Sequence, residues 1–309
     1  MASLVDTRKF AGQTSSRLLG RLAFQMNATM KSPDADAVHD LRVAIRRFSQ
    51  SLIVFKDCFP GKEKRKIRRR LKRLMTLAGT ARNYDVTLKL LAKSPADHSA
   101  LRAAIAGDRR QASRALVSAL KRRIDRKSSM KWRAGLEAAL SASDVSRQTD
   151  LGAAAGVVLP KMAREFLELG SEAAESKAPP EKLHQFRIAS KKFRYSLELF
   201  EPVYGAPVKW MIEEIKHAQN ILGDVNDCVS ASEIVLSYKD GHALTRWIQK
   251  RQARKMEEFR RWWPEKLGDP ETGRLWVRQL RHPVHQSTAR KKPMAQAATL
   301  RQAAVARAR

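Results

Sequence analysis

The stretch VHDLRVAIRRFSQSLIVF, from Val38 to Phe55, aligns without a gap with LHQFRIASKKFRYSLELF, from Leu183 to Phe200. The offset is 145 residues, and similarity at a fixed offset indicates that the chain contains one module twice. Seven aligned pairs are identical and two keep only their charge: His39/His184, Arg42/Arg187, Ala44/Ala189, Phe48/Phe193, Ser51/Ser196, Leu52/Leu197 and Phe55/Phe200, then Arg46/Lys191 and Arg47/Lys192. A repeated core has a packing explanation, whereas a repeated cationic face needs another one.

Both copies separate an apolar face from a cationic face of one helix. At about 100° per residue, the apolar residues fall in one stripe and the basic residues form a line roughly opposite. The stripes contain Leu41, Ile45, Phe48, Leu52 and Phe55 in the first copy and Phe186, Phe193, Leu197 and Phe200 in the second. The lines contain His39, Arg42 and Arg46 in the first copy and His184, Arg187, Lys191 and Arg194 in the second. We therefore expect the aromatic residues to lie in the core and not to stack on nucleobases.

Composition predicts an all-α protein that binds a polyanion. The chain has 309 residues, of which 43% are hydrophobic, so it can form two compact units with real cores. Long runs rich in Ala, Leu, Arg and Glu favour helix, and no convincing alternation of β-branched residues is present. Lys and Arg number 61 against 31 Asp and Glu, a formal net charge of +30. Such a charge attracts nucleic acid, anionic lipid or a phosphate polymer.

Other features of the sequence predict a cytoplasmic protein. Cys58 and Cys228 are too few for a disulfide framework, and two free thiols are typical of a reducing compartment. The first residues lack the apolar segment of a secretory signal. No stretch approaches 18 consecutive apolar residues, so we expect no membrane span.

Turn and capping residues predict where helices begin and end. A first helix is expected over about 8–30, with Asp36 as the N-cap of the next helix. Gly79 is expected to end the Arg-rich helix as a C-cap, before a turn at ARNYDV. Ser94 is expected to cap a long helix that Pro95 begins, and Pro264 to end the last long basic helix.

The repeat also predicts the domain organisation. Residues 1–145 are assigned to the first helical repeat and residues 146–285 to the second, with a polar linker from Ser141 to Asp150. Residues 286–309, rich in Ala, Gln and Arg, are expected to form a loosely ordered basic tail. The predicted architecture is therefore two bundles of the four-helix type.

Two further features suggest anion binding. The Arg-rich helix carries Lys66, Arg69 and Arg73 on one line, opposite its apolar stripe, and Lys216 lies in the matching helix of the second copy. His39 is expected in the first turn of its helix, and His184 likewise, where free N–H groups and the helix dipole attract anions. Histidines that contact phosphate as imidazolium would make binding tighter at lower pH.

Signatures of common enzymes are absent from the sequence. It has no GxxxxGK[ST] loop, no HExxH, no GxSxG and no paired cysteines at metal-ligand spacing. His282 and His285 are spaced like ligands on one helix face, but Pro283 lies between them. No carboxylates cluster where they could hold Mg²⁺ for phosphoryl transfer. We therefore expect no catalysis, no metal site and no cofactor.

The repeated motif resembles a known family. His-x2-Arg-x3-[Arg/Lys]-[Arg/Lys] occurs twice, with LGDVND after the second copy and a degenerate LAGTARNYDV after the first. This pattern is similar to the CHAD family, the conserved-histidine α-helical domain, over residues 8–285. The resemblance implies two helical bundles related by a pseudo-two-fold axis around a basic central channel that binds inorganic polyphosphate. Some members of the family associate with polyphosphate granules, so the resemblance also suggests this association.

Carried over by motif, the resemblance also implies the ligand contacts. They are His39, Arg42, Arg46, Arg47, His184, Arg187, Lys191, Lys192 and Arg194. Arg82 and Asn226 match the turn positions more loosely, and Asn83 stands where the motif has an acidic residue. Some members carry a CYTH triphosphatase domain, but this chain has no ExExK motif, so a coupled hydrolase would be a separate chain.

The sequence thus predicts a non-catalytic protein that binds inorganic polyphosphate. The alternative is a nucleic-acid-binding protein of the nucleoid type, which the net charge and the basic tail favour. No recognition-helix or RNA-binding signature supports that alternative, so nucleic acid is expected only as a weaker electrostatic competitor. A third hypothesis is a regulatory subunit that recruits a phosphatase or kinase to the polymer.

Overall fold

A computed structural model describes residues 5–59, 61–141, 150–238 and 242–283. In these ranges the regular structure consists of ten α-helices and one short 3₁₀ helix, without a β-strand. The only β-type pairing in these ranges is an isolated antiparallel bridge between Asp6 and Asp150. No helix among the described residues is both long enough and apolar enough to cross a membrane. The all-α prediction is confirmed.

The first five helices contain the first copy of the motif. Helices α1 to α4 pack against one another, and α5 packs against α1 and α4. A short 3₁₀ helix, Lys56–Cys58, connects α2 to α3. The bounds are Thr7–Lys31 for α1, Ala35–Val54 for α2, Gly61–Leu91 for α3, Ser99–Asp125 for α4 and Ser128–Ser141 for α5.

The next five helices follow the same order. Helices α6 to α9 pack together, with α10 against α6. Their bounds are Leu151–Ala174 for α6, Pro180–Tyr204 for α7, Ala206–Leu236 for α8, His242–Lys266 for α9 and Pro270–Arg281 for α10. Helices α3 and α8 both have 31 residues. The short helices α5 and α10 each bury a Trp and a Leu four positions later, Trp132/Leu136 and Trp276/Leu280.

The core continues from one copy into the other. All the residues of the two predicted apolar stripes are buried, so the prediction that their aromatics lie in the core is confirmed. Phe55 of the first copy meets Phe200 of the second edge to face, with ring centroids 5.7 Å apart. Helix α2 packs on α7, and α3 packs on α8. These contacts bring the two basic lines together at the middle of the molecule.

Helices α3 and α8 are longer than the sequence predicts. Gly79 does not end α3, which continues to Leu91, and α8 runs through Gly223 to Leu236. The segments ARNYDV and LGDVND are therefore helical, and the predicted turns are wrong. Position 79 requires a small residue because the side chain of Arg42 approaches the helix there. A Cβ atom at this position would lie 2.9 Å from Nη1 of Arg42.

Three other predicted helix ends need correction. Asp34, not Asp36, is the N-cap of α2, because its carboxylate accepts from the N–H groups of Asp36 and Ala37. Helix α4 begins at Ser99 and not after Ser94. Helix α9 continues past Pro264 to Lys266.

Some predictions concern residues that the structure does not describe. The boundary between the repeats at 145 falls in the range 142–149, and the basic tail at 286–309 falls in the range 284–309. His285 lies in the latter range too, outside the described residues.

Candidate functional site

Four helices from both copies bring five basic side chains together. Helices α2 and α7 pack on each other along their basic lines, and α3 and α8 pack beside them. We call the resulting group the central cluster. Its members are Arg42 and Arg46 from α2, Arg82 from α3, Arg187 and Lys191 from α7, and Asn226 and Asp227 from α8. All seven are partly buried.

Arg42 is held against α3. Its Nη1 atom donates a hydrogen bond to the backbone carbonyl of Met75 at 3.3 Å. The absence of a side chain at Gly79 leaves room for the guanidinium group. Arg42 also lies close enough to Arg46, Arg82 and Arg187 for their charges to lower its pKa.

Arg187 is the matching residue in the second copy, and it is held against α8. Its Nη1 atom donates to the Oδ1 atom of Asn226. The next residue, Asp227, places a carboxylate among the cations of the central cluster. Burial raises the pKa of Asp227, and the charges of Arg187, Arg82 and Lys191 oppose that rise. The sequence analysis did not select Asp227 as a site residue, although it stands in the LGDVND motif.

Burial and repulsion by neighbouring charges lower the pKa values of Arg42, Arg187 and Lys191. Burial is the main cause for all three residues whose pKa falls furthest, because removal of water disfavours the charged form. The pKa of Lys191 falls to about 6, with Arg187, Arg46 and Arg42 as further causes. The pKa values of Arg42 and Arg187 fall to about 10. The central cluster thus holds positive charge that the protein itself does not neutralise, and a bound anion would stabilise it.

The two histidines lie further toward solvent. His39 and His184 are both exposed, and each is the fifth residue of its helix, just beyond the predicted first turn. Burial lowers the pKa of His39, as does the charge of Arg82, while Asp40 acts in the opposite direction. His39 therefore lies at the edge of the central cluster. His184 lies on the same side of α7 as Arg187 and Lys191, about one turn before the first and two turns before the second.

The predicted anion site at the start of α2 is already occupied by the protein. The carboxylate of Asp34 accepts from two backbone N–H groups of the first turn, at 3.0 and 2.8 Å. A third, that of Val38, bonds to the Asp34 carbonyl at 3.0 Å. The amides of Asp36, Ala37 and Val38 therefore have partners within the protein and do not face an external anion at this end of α2.

Arg47 and Arg194 share a carboxylate from α7. Glu198 accepts from Nε of Arg47 at 3.0 Å and from Nη1 of Arg194 at 2.6 Å. Arg194 also donates to Oε1 of Gln219 at 2.8 Å, and its guanidinium lies 4.4 Å from the ring centre of Tyr195. These two arginines connect α2, α7 and α8. The structure therefore places them in a network of internal hydrogen bonds beside the central cluster.

The remaining predicted contacts lie outside the central cluster. Lys192 is exposed and about 100° around α7 from Lys191. Lys66 forms an exposed ion pair with Glu63 at 3.6 Å, and Lys216 forms one with Glu213 at 2.7 Å. The other two predicted contacts on α3 are exposed as well: Arg69 and Arg73.

Helix geometry explains why the Arg-rich line of α3 does not reach the central cluster. Arg73 precedes Arg82 by nine residues, which is about 13 Å along the helix and about half a turn around it. Among the described residues, no group of three His, Cys, Asp or Glu side chains is arranged to hold a metal ion.

Comparison with known proteins identifies the family. The family model of the CHAD domain matches residues 16–236. No curated protein sequence matches the chain. The CHAD domain of the plant Ricinus communis is similar in structure, with a TM-score of 0.67 and 19% identity over 92% of this chain and 95% of that one. PptA from Streptomyces chartreusis has a TM-score of 0.55 and 14% identity over 89% of this chain and 99% of that one. The chain therefore belongs to the CHAD domain family.

Proposed function

We propose that this protein binds inorganic polyphosphate at the central cluster without catalysing a reaction on it. The observation that supports the proposal is the charge balance of the cluster. Four guanidinium groups and the amine of Lys191 are partly buried around a single carboxylate, that of Asp227. A bound anion would convert the Lys191 amine to a fifth positive charge. Arginine offers planar pairs of donors that match phosphate oxygens. A phosphate polymer would supply the negative charge that the site lacks.

The arrangement favours a linear polymer over a small anion. The basic residues of α2 and of α7 follow each other at intervals of about one helical turn, so they extend along two helices. Phosphates in succession along an unbranched chain could contact them in turn. We propose that the cluster lines the channel that the family resemblance implies. The aromatic residues of the motif are buried, so they are not available to stack on nucleobases.

The proposal includes an association with other proteins that act on the polymer. Phosphoryl transfer commonly relies on carboxylate-bound Mg²⁺, and the central cluster offers one carboxylate among five basic side chains. We infer that chemistry on the polymer belongs to a separate chain, such as a CYTH-type triphosphatase. A cytoplasmic location, at polyphosphate granules, agrees with this role. The same binding could instead recruit a phosphatase or kinase to the polymer.

A competition experiment tests the proposal against the nucleic-acid alternative. Labelled polyphosphate bound to the full chain is displaced by unlabelled polyphosphate, RNA or duplex DNA at equal phosphate concentration and fixed salt. We expect polyphosphate to displace the label at the lowest concentration, because a thin chain can enter a narrow site that a duplex cannot. Equal or better displacement by duplex DNA would contradict the proposal and support a nucleic-acid-binding function.

Variants of the central cluster separate the site from the general charge. Arg42→Ala and Arg187→Ala should each weaken polyphosphate binding by about 1–3 kcal/mol, the range for a charge-assisted contact. Arg246→Ala and Arg254→Ala remove the same charge from exposed positions of α9 and serve as controls. If the controls weaken binding as much as the cluster variants do, binding is diffuse and the repeated motif is structural.

A further inference from the structure

A second group of arginines lies outside the central cluster, where α3 packs on the end of α4. Arg123 is surrounded by four other arginines whose charges lower its pKa, in addition to the main effect of burial. We call this group the outer arginine patch. It consists of Arg70 and Arg73 from α3, Arg122 and Arg123 from α4, and Arg126, which is the C-cap residue directly after α4. Arg73, Arg122 and Arg126 are exposed, and Arg70 and Arg123 are half-buried.

The fold does not explain this patch, because the second copy lacks it. Residues 62–73 at the start of α3 contain nine Lys and Arg and one Glu. With Gly79 aligned to Gly223, the matching residues 206–217 of α8 contain two Lys and two Glu. Both helices have 31 residues and pack in corresponding positions. Helix α8 therefore forms without the basic residues that α3 carries at its start. Those basic residues are not needed to form the helix, so we infer that they have another role.

The patch costs the folded protein stability. Arg126, the C-cap of α4, follows Arg122 by four residues, and like charges at this spacing repel each other. Within the described part of the chain, none of the five arginines forms an ion pair. Arg122 instead donates to the hydroxyl group of Ser118 at 2.6 Å. An external anion would relieve this repulsion.

The chemistry of the patch favours a phosphate chain over a membrane or a nucleobase. The apolar side of α3 here is Ile67, Leu71 and Leu74, which are buried in the core and cannot enter a lipid layer. Neither 61–76 nor 116–126 contains an aromatic residue on which a base could stack. Exposed guanidinium groups without such neighbours match phosphate oxygens.

We propose that the outer arginine patch is a second binding surface for polyphosphate and holds parts of a long chain that extend beyond the central cluster. This inference rests on the proposed function. Helix α3 carries both sites, with Arg82 in the central cluster and Arg73 about 13 Å away along the helix and on the opposite side. A short chain occupies one site, whereas a long flexible chain occupies both.

Occupation of both sites makes affinity depend on chain length. Once one part of a long chain is bound, the second contact forms within one complex, and its effective concentration raises the overall affinity. A chain too short to span the two sites gains nothing from the patch. The patch therefore makes the protein selective for long polymers.

The test compares two variants that lose equal charge. The patch variant carries Arg70→Gln, Arg73→Gln, Arg122→Gln and Arg126→Gln. The control carries Arg246→Gln, Lys250→Gln, Arg254→Gln and Arg261→Gln, all at exposed positions of α9, which is the counterpart of α4. Each is titrated at fixed salt with polyphosphate of about ten and of about one hundred units, because the avidity gain depends on the span between sites. Duplex DNA is titrated in parallel. Thermal unfolding checks the fold, and the patch variant should not melt below the wild type, since repulsion is removed.

We expect the patch variant to bind the short chain like the wild type and the long chain at least about tenfold more weakly, a loss within the usual range of avidity effects. The control should lose much less. An equal loss in both variants would mean that only net charge matters. An equal loss for both chain lengths, or unchanged binding of both, overturns the second-site proposal. A loss confined to duplex DNA would make the patch a nucleic-acid surface and overturn it too.

Failure of the proposed function gives a different result. If the wild type does not bind the short chain, or if Arg42→Ala and Arg187→Ala leave that binding intact, the central site is wrong. The long-chain comparison between the two quadruple variants still decides whether the patch binds the polymer.

Discussion

Lys191 is the residue whose chemistry depends most on its surroundings. It occupies the position of Arg46 in the repeat, and the charges of Arg42, Arg46 and Arg187 act on it. Burial, aided by these neighbours, lowers its pKa to about 6, while Asp227 opposes the change. Above pH 6 the ligand-free protein therefore holds Lys191 largely uncharged. A polyanion bound beside it would raise its pKa, so binding takes up a proton.

We predict that Lys191, more than the histidines, makes polyphosphate binding depend on pH. Affinity should rise by roughly tenfold as pH falls from about 8 to 6. It should level off below pH 6, because Lys191 is then already protonated before the polymer binds. Lys191→Met should bind more weakly at pH 6 and lose most of this dependence, measured by titration at several pH values. The double variant His39→Gln, His184→Gln should retain most of it.

The same variant has an opposite effect on stability. A base with a lowered pKa in the folded state destabilises the protein as pH falls from the ordinary lysine value toward about 6, and the effect is constant below that. Lys191→Met should therefore raise the free energy of unfolding at pH 6 and reduce its change with pH. Loss of stability together with unchanged binding would show that Lys191 has a structural role.

Helices α3 and α8 carry a glycine at matching positions, Gly79 and Gly223, but the two glycines have different surroundings. Both continue through a glycine, although glycine inside a helix costs about 1 kcal/mol relative to alanine. At Gly79 the missing side chain accommodates Arg42. At Gly223, apart from the adjacent backbone of α8 itself, no atom lies within 4 Å of where a Cβ would be. The two glycines are thus equivalent in the repeat but not in their contacts.

We predict that alanine at these two positions separates stability from binding. Gly79→Ala should displace the guanidinium end of Arg42 and weaken polyphosphate binding, with little loss of stability because the displaced group is flexible. Gly223→Ala should leave binding unchanged and raise the free energy of unfolding by about 0.5–1 kcal/mol. Polymer titration and denaturant unfolding of both variants measure these effects. Equal binding by both variants would mean that the position of Arg42 against α3 is unimportant.

The molecule has far more basic residues than acidic residues that could neutralise them. The formal net charge is +30, and the described ion pairs include several that are largely exposed, such as Lys209–Glu201 and Arg274–Glu271. Exposed pairs contribute little to stability. Self-repulsion of the excess charge therefore opposes the compact state, and salt or a bound polyanion screens it.

We predict that salt has opposite effects on stability and on binding. The unfolding temperature of the ligand-free protein should rise between about 20 and 200 mM NaCl, because screening reduces the self-repulsion. Over the same range log K for polyphosphate should fall roughly linearly with log salt, a rule established for nucleic acids. Binding releases counterions from the polymer, and this release is less favourable when the salt concentration in solution is higher. Calorimetry and titration at matched salt measure both. An unfolding temperature that falls with salt would show that internal ion pairs outweigh the repulsion.

The sequence by itself determined the helical class, the buried stripes and the family. It also placed Arg42, Arg46, Arg187 and Lys191 on their basic lines, because helical periodicity alone decides which neighbours share a face. Local periodicity does not say which face of another helix will lie opposite. It could not distinguish a glycine that ends a helix from Gly79, whose role comes from a side chain on a different helix.

Only the tertiary structure decided which cations meet and which are neutralised. Arg47 stands in the same motif as Arg46, yet Glu198, 151 positions away, accepts its hydrogen bond. Arg73 and Arg82 lie on the same helix, yet they belong to different charged groups. A charge is neutralised by whatever lies within a few ångströms in space, and that distance is set by how α2, α3, α7 and α8 pack.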